Sequence, residues 1–380
     1  MSDYKLPKLP SDEELGITDE DRELADEVPS EGELSKAELL ALLGDTAPAG
    51  GAKGGNAKEA KGKNKKTKKA KKPAATESTP APAEGPRSRW RGALTAFALL
   101  SMAVLGSSRM ALPRPVPANA PDTAFSSARA MSMLVEIARG PHPTGSPDHT
   151  RVREYLLDRL RLLGLEPEVQ TTTSMIQRGS AVRFATVRNV MARLPGTRSG
   201  DAILITAHYD SRELAPGAGD DGSGVVAILE ALRALRAGPA PGNDVIVLFT
   251  DAEELGLLGA RAFVDEHPWL ADVSVVLSFE MRGAGGPSIM FETKDQNGWV
   301  VRALAEFDPR PFANSLAYEV YERLPNDTDF TPFKEAGKQG LNFAAIGRSH
   351  VYHQATDTPE NFSEATLQHH GLRALAALRY

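Results

Sequence analysis

Three aspartates and an imidazole crowd the segment HYDSRELAPGAGDDGSG (208–224): His208 and Asp210 at its start, then Asp220 beside Asp221. Two more acidic residues adjoin at Glu253-Glu254, another stands at Glu280, and a second imidazole, His353, follows Tyr352. Like charges placed together repel, so such a group is either solvated or arranged about something positive. Nitrogen and oxygen donors of this kind suit zinc where thiolates are absent, and the chain contains no cysteine. The same absence removes disulfides and cysteine nucleophiles. Each residue also has a plainer reading. Asp220-Asp221 can cap a following helix, Glu253-Glu254 can face a helix dipole, and His208 can be a buried, hydrogen-bonded histidine. Glu280 resists such a reading, because it ends an apolar run and a buried carboxylate needs a partner.

Apolar spacing shows which elements must carry these groups. AILIT (202–206), DVIVLFT (244–250) and VSVVLSF (273–279) are short, nearly continuous apolar runs, as in strands covered on both faces. Helical periodicity marks 124–139, 150–163, 223–236 and 256–266, while 181–194 reads as strands at a sheet edge. The alternation predicts an α/β fold with a mixed, largely parallel twisted central sheet flanked by helices. Sites in such sheets gather at the carboxyl ends of strands. The three runs end in His208-Tyr209-Asp210, Asp251-Ala252-Glu253-Glu254 and Glu280, and a fourth, LNFAAIG (341–347), leads to Tyr352-His353. One such ending would mean little; four make a constellation. Asp210, two residues beyond His208 on an extended segment, can accept the ring's second N–H. Either Asp220 or Asp221 can bridge two metals, and one of Glu253 and Glu254 can ligate while the other acts as a general base.

The segments HYDS (208–211), GAGDDGSG (217–224), DAEELGLLG (251–259) and YHQATDTPEN (352–361) together resemble the co-catalytic di-zinc aminopeptidases. That family includes secreted bacterial aminopeptidases, glutamate carboxypeptidase, the transferrin receptor ectodomain and glutaminyl cyclases. The resemblance covers residues 122–380 and implies the zinc-dependent exopeptidase fold. FEMRGAGGP (279–287) and PHPTGS (141–146) look most like the membrane-bound endoplasmic-reticulum metallopeptidase branch. Two Zn2+ ions are implied, bridged by Asp220, with His208 and Glu280 on one and Glu254 and His353 on the other. Glu253 is then the general base that activates the metal-bridging water, and Tyr352 stabilises the oxyanion. Asp221 is the residue after the bridge, where the family often has a cis peptide. Asp329 and Phe330, opening a helical segment, match a region that lines the substrate cleft. Glu280 departs from the family's commoner Asp by one methylene. The implied activity is that of an exopeptidase on peptides, most like an aminopeptidase. An inactive peptidase-like binding ectodomain and a glutaminyl cyclase-type acyltransferase are the alternatives.

The remaining sequence supplies location rather than chemistry. A net charge of −6 hides an acid-rich stretch at 11–38 and a lysine-rich run at 53–72. Residues 1–89 carry too little apolar area to fold and read as a disordered, charged cytoplasmic tail, apart from a possible short helix at 35–43. The lysine run suits anionic lipid, and no specific nucleic-acid partner is expected. Residues 90–112 read as a transmembrane signal anchor through 92–112, preceded by arginines that place the N-terminus in the cytoplasm. A linker at 113–121 then leads to an extracytoplasmic peptidase domain at 122–380 in the periplasm, cell exterior or a lumen. Among other histidines, His142 reads as structural and His350 as a rival to His353, while His267, His369 and His370 read as surface residues.

Overall fold

Seven strands form one mixed sheet in the computed structural model, which describes residues 86–109, 111–198 and 200–380. Contacts divide the chain after Ser88, and the architecture below is that of Arg89–Tyr380. The helix at 35–43 and the lysine run at 53–72 lie outside the described residues. The strands are β1 (Glu168–Arg178), β2 (Ala181–Leu194), β3 (Ala202–His208), β4 (Asp244–Thr250), β5 (Val273–Phe279), β6 (Ile289–Thr293) and β7 (Gln339–Ala344). Their order across the sheet is β1-β2-β4-β3-β5-β7-β6. The inner four, β4-β3-β5-β7, run parallel, while β1-β2, β2-β4 and β6-β7 pair antiparallel. The runs at 202–206, 244–250 and 273–279 thus lie at the centre of the sheet. Residues 181–194 lie one strand in from the edge instead, because β1 covers them.

Helices flank both faces. The helix α1 (Pro86–Arg109) is largely exposed, and the flanking helices begin with α2 (Ser127–Ile137), α3 (Pro147–Leu162), α4 (Gly224–Arg236) and α5 (Leu258–Glu266). These are followed by α6 (Gly298–Phe307), α7 (Ser315–Tyr321), α8 (Phe330–Glu335) and α9 (Glu364–Arg379). Local chemistry sets several starts. The hydroxyls of Ser126, Ser146 and Ser363 accept the N–H groups of Arg129, His149 and Thr366, capping α2, α3 and α9. Along β4, Val245, Val247 and Phe249 face a core built with α2, α4 and α9, whereas Ile246 and Leu248 face Phe263 of α5 and Phe330 and Phe333 of α8. Each such side chain, fully buried, contributes about 1.5–3 kcal/mol.

Two expectations require correction. His369 and His370 are buried in α9, not at the surface: the Ser288 hydroxyl lies 2.8 Å from His370 Nδ1. His267 is half-buried, its ring stacked on Phe263 at 4.8 Å. The expected membrane anchor corresponds to α1, yet among the described residues no helix is long and apolar enough to cross a membrane. The uncharged stretch between Arg91 and Arg109 has 17 residues. That is roughly 26 Å of helix against a hydrocarbon core of about 30 Å.

Candidate metal centre

The carboxyl ends of β3, β4, β5 and β7 bring the acidic residues and histidines together, as the strand order requires. β3 ends on His208. Its Nδ1 lies 3.0 Å from the Asp210 carbonyl oxygen and 3.5 Å from the Asp210 carboxylate. An N–H there is donated to that carbonyl, which leaves Nε2 free to face the centre. The Asp210 carboxylate accepts the backbone N–H groups of Glu253 and Glu254 at 3.0 and 3.2 Å. Asp210 therefore ties the end of β3 to the turn after β4 while its carboxylate stays beside the His208 ring.

The two aspartates take different positions. Asp220 lies in the irregular turn Ala218–Ser223, and its peptide with Asp221 is cis. Asp220 Oδ1 sits 3.1 Å from His208 Nε2, and Oδ2 sits 3.1 Å from His353 Nε2. Asp221 instead accepts the Gly224 N–H at 3.2 Å at the start of α4. The capping role thus belongs to Asp221 and the central position to Asp220. Glu280 Oε2 approaches His208 Nε2 at 3.9 Å, and Glu254 Oε1 approaches His353 Nε2 at 3.3 Å.

Two sets of donors result, His208-Asp220-Glu280 and Asp220-Glu254-His353, each with its ligand atoms within 4.8 Å of one another. Tetrahedral zinc with ordinary bond lengths separates its ligand atoms by about 3.3–3.6 Å. Contacts of 3.1–3.9 Å here are of that size. Glu254 Oε1 and His353 Nε2 are buried without a hydrogen-bond partner, and they face one another. The residues present therefore fit a metal ion at each set.

Electrostatics agree. Burial pushes the Glu280 and Glu253 carboxyls well above the usual range against the pull of His208, and neighbouring carboxylates push the same way. Burial and the Asp220 carboxylate also raise Glu254. Although burial opposes it, hydrogen bonds to His208 and His353 hold Asp220 below the ordinary range. His353 is raised to about 9, because contacts with Asp220 and Glu254 outweigh its burial. The cluster carries more negative charge than its own side chains offset, so protons or cations must balance it.

The other expected residues are placed as follows. Tyr352 stacks on the His353 ring with centroids 3.7 Å apart. Asp329 and Phe330 are both fully buried and line no open wall. The Asp329 N–H points at Glu280 Oε1 at 3.4 Å, and its carboxyl accepts the Thr250 hydroxyl. His350 is exposed and belongs to neither donor set, and His142 is buried with its ring 3.0 Å from the Gly140 carbonyl. Three supporting groups had no role assigned to them from sequence. Asp357 accepts the N–H groups of Gly219 and Asp220 at 2.7 and 3.2 Å, fixing the turn that carries the shared aspartate. A Cβ on Gly219 would lie 2.9 Å from both Asp357 Oδ1 and the Gly283 carbonyl, so only glycine fits there. Beneath the turn after β4, Asp251 contacts His149 at 2.9 Å and Thr144 at 3.2 Å, and Thr144 also reaches Asp210. Arg212 places Nε 2.7 Å from Glu254 Oε2. Asp357 lies within the quoted YHQATDTPEN segment, so only its position, not its role, was legible.

Comparison with known proteins agrees with this geometry. Mouse endoplasmic reticulum metallopeptidase 1 is 31% identical over 307 residues, 76% of this chain and 34% of that protein. A vacuolar membrane protease of Yarrowia lipolytica is 32% identical over 264 residues, 63% of this chain and 26% of that protein. The chain thus spans about a third or less of the length of these relatives. The solved structure of an aminopeptidase from Aneurinibacillus sp. strain AM-1 shares the fold with a TM-score of 0.55 at 16% identity, covering 67% of this chain and 94% of that one. Residues 189–378, which carry both donor sets, match the family described as Peptidase family M28. The chain belongs to peptidase family M28.

Proposed function

We propose that this chain is a zinc metallopeptidase that acts as an exopeptidase, releasing amino-terminal residues from peptides, with two zinc ions held at the two donor sets. The carrying observation is that Asp220 is shared between the sets while the carboxylate of Glu253 belongs to neither. His208, Asp220 and Glu280 would hold one ion, and Asp220, Glu254 and His353 the other. Bound there, zinc supplies Lewis acidity, which polarises a carbonyl and makes water a stronger acid.

The chain's own groups then manage protons and position. Asp210 fixes the backbone of Glu253. Burial raises the Glu253 carboxyl above the ordinary carboxylate range, which makes it a stronger base than a solvated glutamate. Glu253 takes a proton from the attacking water and returns it to the leaving amine. Tyr352, held on the His353 ring, donates its hydroxyl to the oxygen of the tetrahedral species. The names of two relatives, an endoplasmic reticulum metallopeptidase and a vacuolar membrane protease, support the peptidase reading.

Hydrolysis of amino-acid p-nitroanilides, with metal counted by elemental analysis, tests this. We expect two zinc ions per chain, loss of activity with chelator, and a fall of roughly 10²–10⁴-fold in kcat for Glu253→Gln with metal retained. A single ion would favour the cyclase-type reading, and a metal-loaded protein that cleaves no peptide or p-nitroanilide would leave the binding-ectodomain reading.

Membrane association through α1 is proposed as well. It is supported by the Yarrowia relative's name and by exposed Trp90, Leu94, Phe97, Leu100 and Leu105 on this helix. Co-flotation with anionic liposomes is the measurement, and it should be lost in a Leu94→Glu/Phe97→Glu chain. Equal flotation of both proteins would remove α1 from the account.

A further inference from the structure

Two arginines stand at the Tyr352-His353 side of the centre, and they are not equivalent. Arg212 is committed to Glu254 by its 2.7 Å contact. Arg282 is half-buried, and its guanidinium lies over the Tyr352 ring, 5.0 Å from the centroid. Among the described residues Arg282 makes no ion pair with any carboxylate, although Asp220, Glu254 and Glu280 belong to the centre that Tyr352 and His353 border. Its backbone is rigidly held. The Arg282 N–H is donated to the Ala345 carbonyl at 3.0 Å, and Gly285 bridges to Gly347 just beyond. A Cβ on Gly283 would lie 2.3 Å from the Gly347 carbonyl oxygen, so this backbone is packed too closely to shift. A fixed, partly desolvated guanidinium with an unused fork of donors is a carboxylate receptor.

The distances say where that carboxylate belongs. Arg282 contacts Tyr352 at 5.0 Å, and Tyr352 stacks on His353 at 3.7 Å, so the guanidinium lies within about 9 Å of the His353 ring. One extended residue spans roughly 3.3–3.6 Å, and an arginine–carboxylate pair adds about 4 Å between carbons. We infer that Arg282 is a specificity residue that selects peptides bearing a carboxylate within one residue of the scissile bond. This inference rests on the peptidase reading above. The carboxylate can be the terminal one of a dipeptide or an acidic side chain on either residue flanking the bond.

The test compares kcat/KM for Ala-Ala, Ala-Asp amide and Glu-Ala amide, each against Ala-Ala amide, on the zinc-loaded full chain. At least one carboxylate-bearing substrate should be favoured by roughly tenfold or more, the worth of a charge-assisted hydrogen bond. Which of the three it is identifies the source. In Arg282→Gln the ratio should collapse toward one, whereas Arg282→Lys should keep part of it. A ratio is internal to each protein, so a general loss of activity does not imitate the effect. If Arg282→Gln cleaves nothing, Arg282→Lys and the wild type still decide. Wild-type ratios near one, or a ratio unchanged in Arg282→Gln, overturn the inference. In either case hydrolysis of Ala-Ala amide itself keeps the peptidase reading intact, while failure to cleave all four substrates strikes that reading instead.

Discussion

Asp357 shows how much of the centre depends on a residue that belongs to neither donor set. Its carboxylate gathers two successive N–H groups, from Gly219 and Asp220, and so sets where the shared aspartate stands. Replacing it with Ala leaves both buried N–H groups unpaired and frees the turn. We expect Asp357→Ala to weaken zinc binding by roughly 10–100-fold, as loss of an outer hydrogen-bond partner typically does. Asp357→Asn, which keeps one acceptor oxygen, should lose less. Competition with a fluorescent chelator reads both, and equal affinity in wild type and Ala variant would reduce Asp357 to a structural residue. His208, Glu254 and Glu280 were legible because each stands at or just beyond the end of an apolar run, whereas Asp220 stands in a glycine-rich turn. Their supports were not. Asp210 could be placed near His208 from spacing, but its shorter contacts go to Glu253 and Glu254, 43 and 44 positions away in sequence.

At the scale of elements, legibility followed apolar continuity. β3, β4 and β5 were readable because both faces of each strand are covered, which leaves no polar alternation to confuse the period. β1 carried no such signal. Its sequence EVQTTTSMIQR is mostly polar, and it is held by eleven-residue pairing to β2 rather than by an apolar run. The result moved β2 from the edge to the second position. α9 misled in the opposite direction. Two adjacent histidines read as surface residues, yet Gln368, His369, His370 and Arg373 are all buried. Arg373 pairs with Asp308 at 2.7 Å, so that the packed face of the helix is polar and its buried charge is paired. Asp329 and Phe330 did open a helix, α8, but that helix packs against the sheet and buries them.

Across the whole molecule, these buried imidazoles give stability a pH dependence separate from that of the centre. Burial lowers His142 and His369 to about 4 and His370 to about 3, with Arg373 adding to the effect on the latter two. An unfolded imidazole titrates near 6.5. The folded state therefore favours the neutral form, and below pH 6.5 the unfolded chain binds protons that the folded chain refuses. Stability from these groups is fully present above pH 6.5 and is lost as pH falls toward 4 and 3. His370 alone accounts for about 2 kcal/mol between pH 7 and pH 5. Urea unfolding of wild type and His370→Gln in chelator, at both pH values, isolates it. The variant is less stable at pH 7, because the bond to Ser288 and the edge contact with Phe279 are lost. Its further loss on going to pH 5 should nevertheless be smaller than that of the wild type by about 2 kcal/mol. Equal losses would mean that His370 is protonated in the folded protein, and that the polar face of α9 is open to water rather than sealed by Arg373 and Asp308.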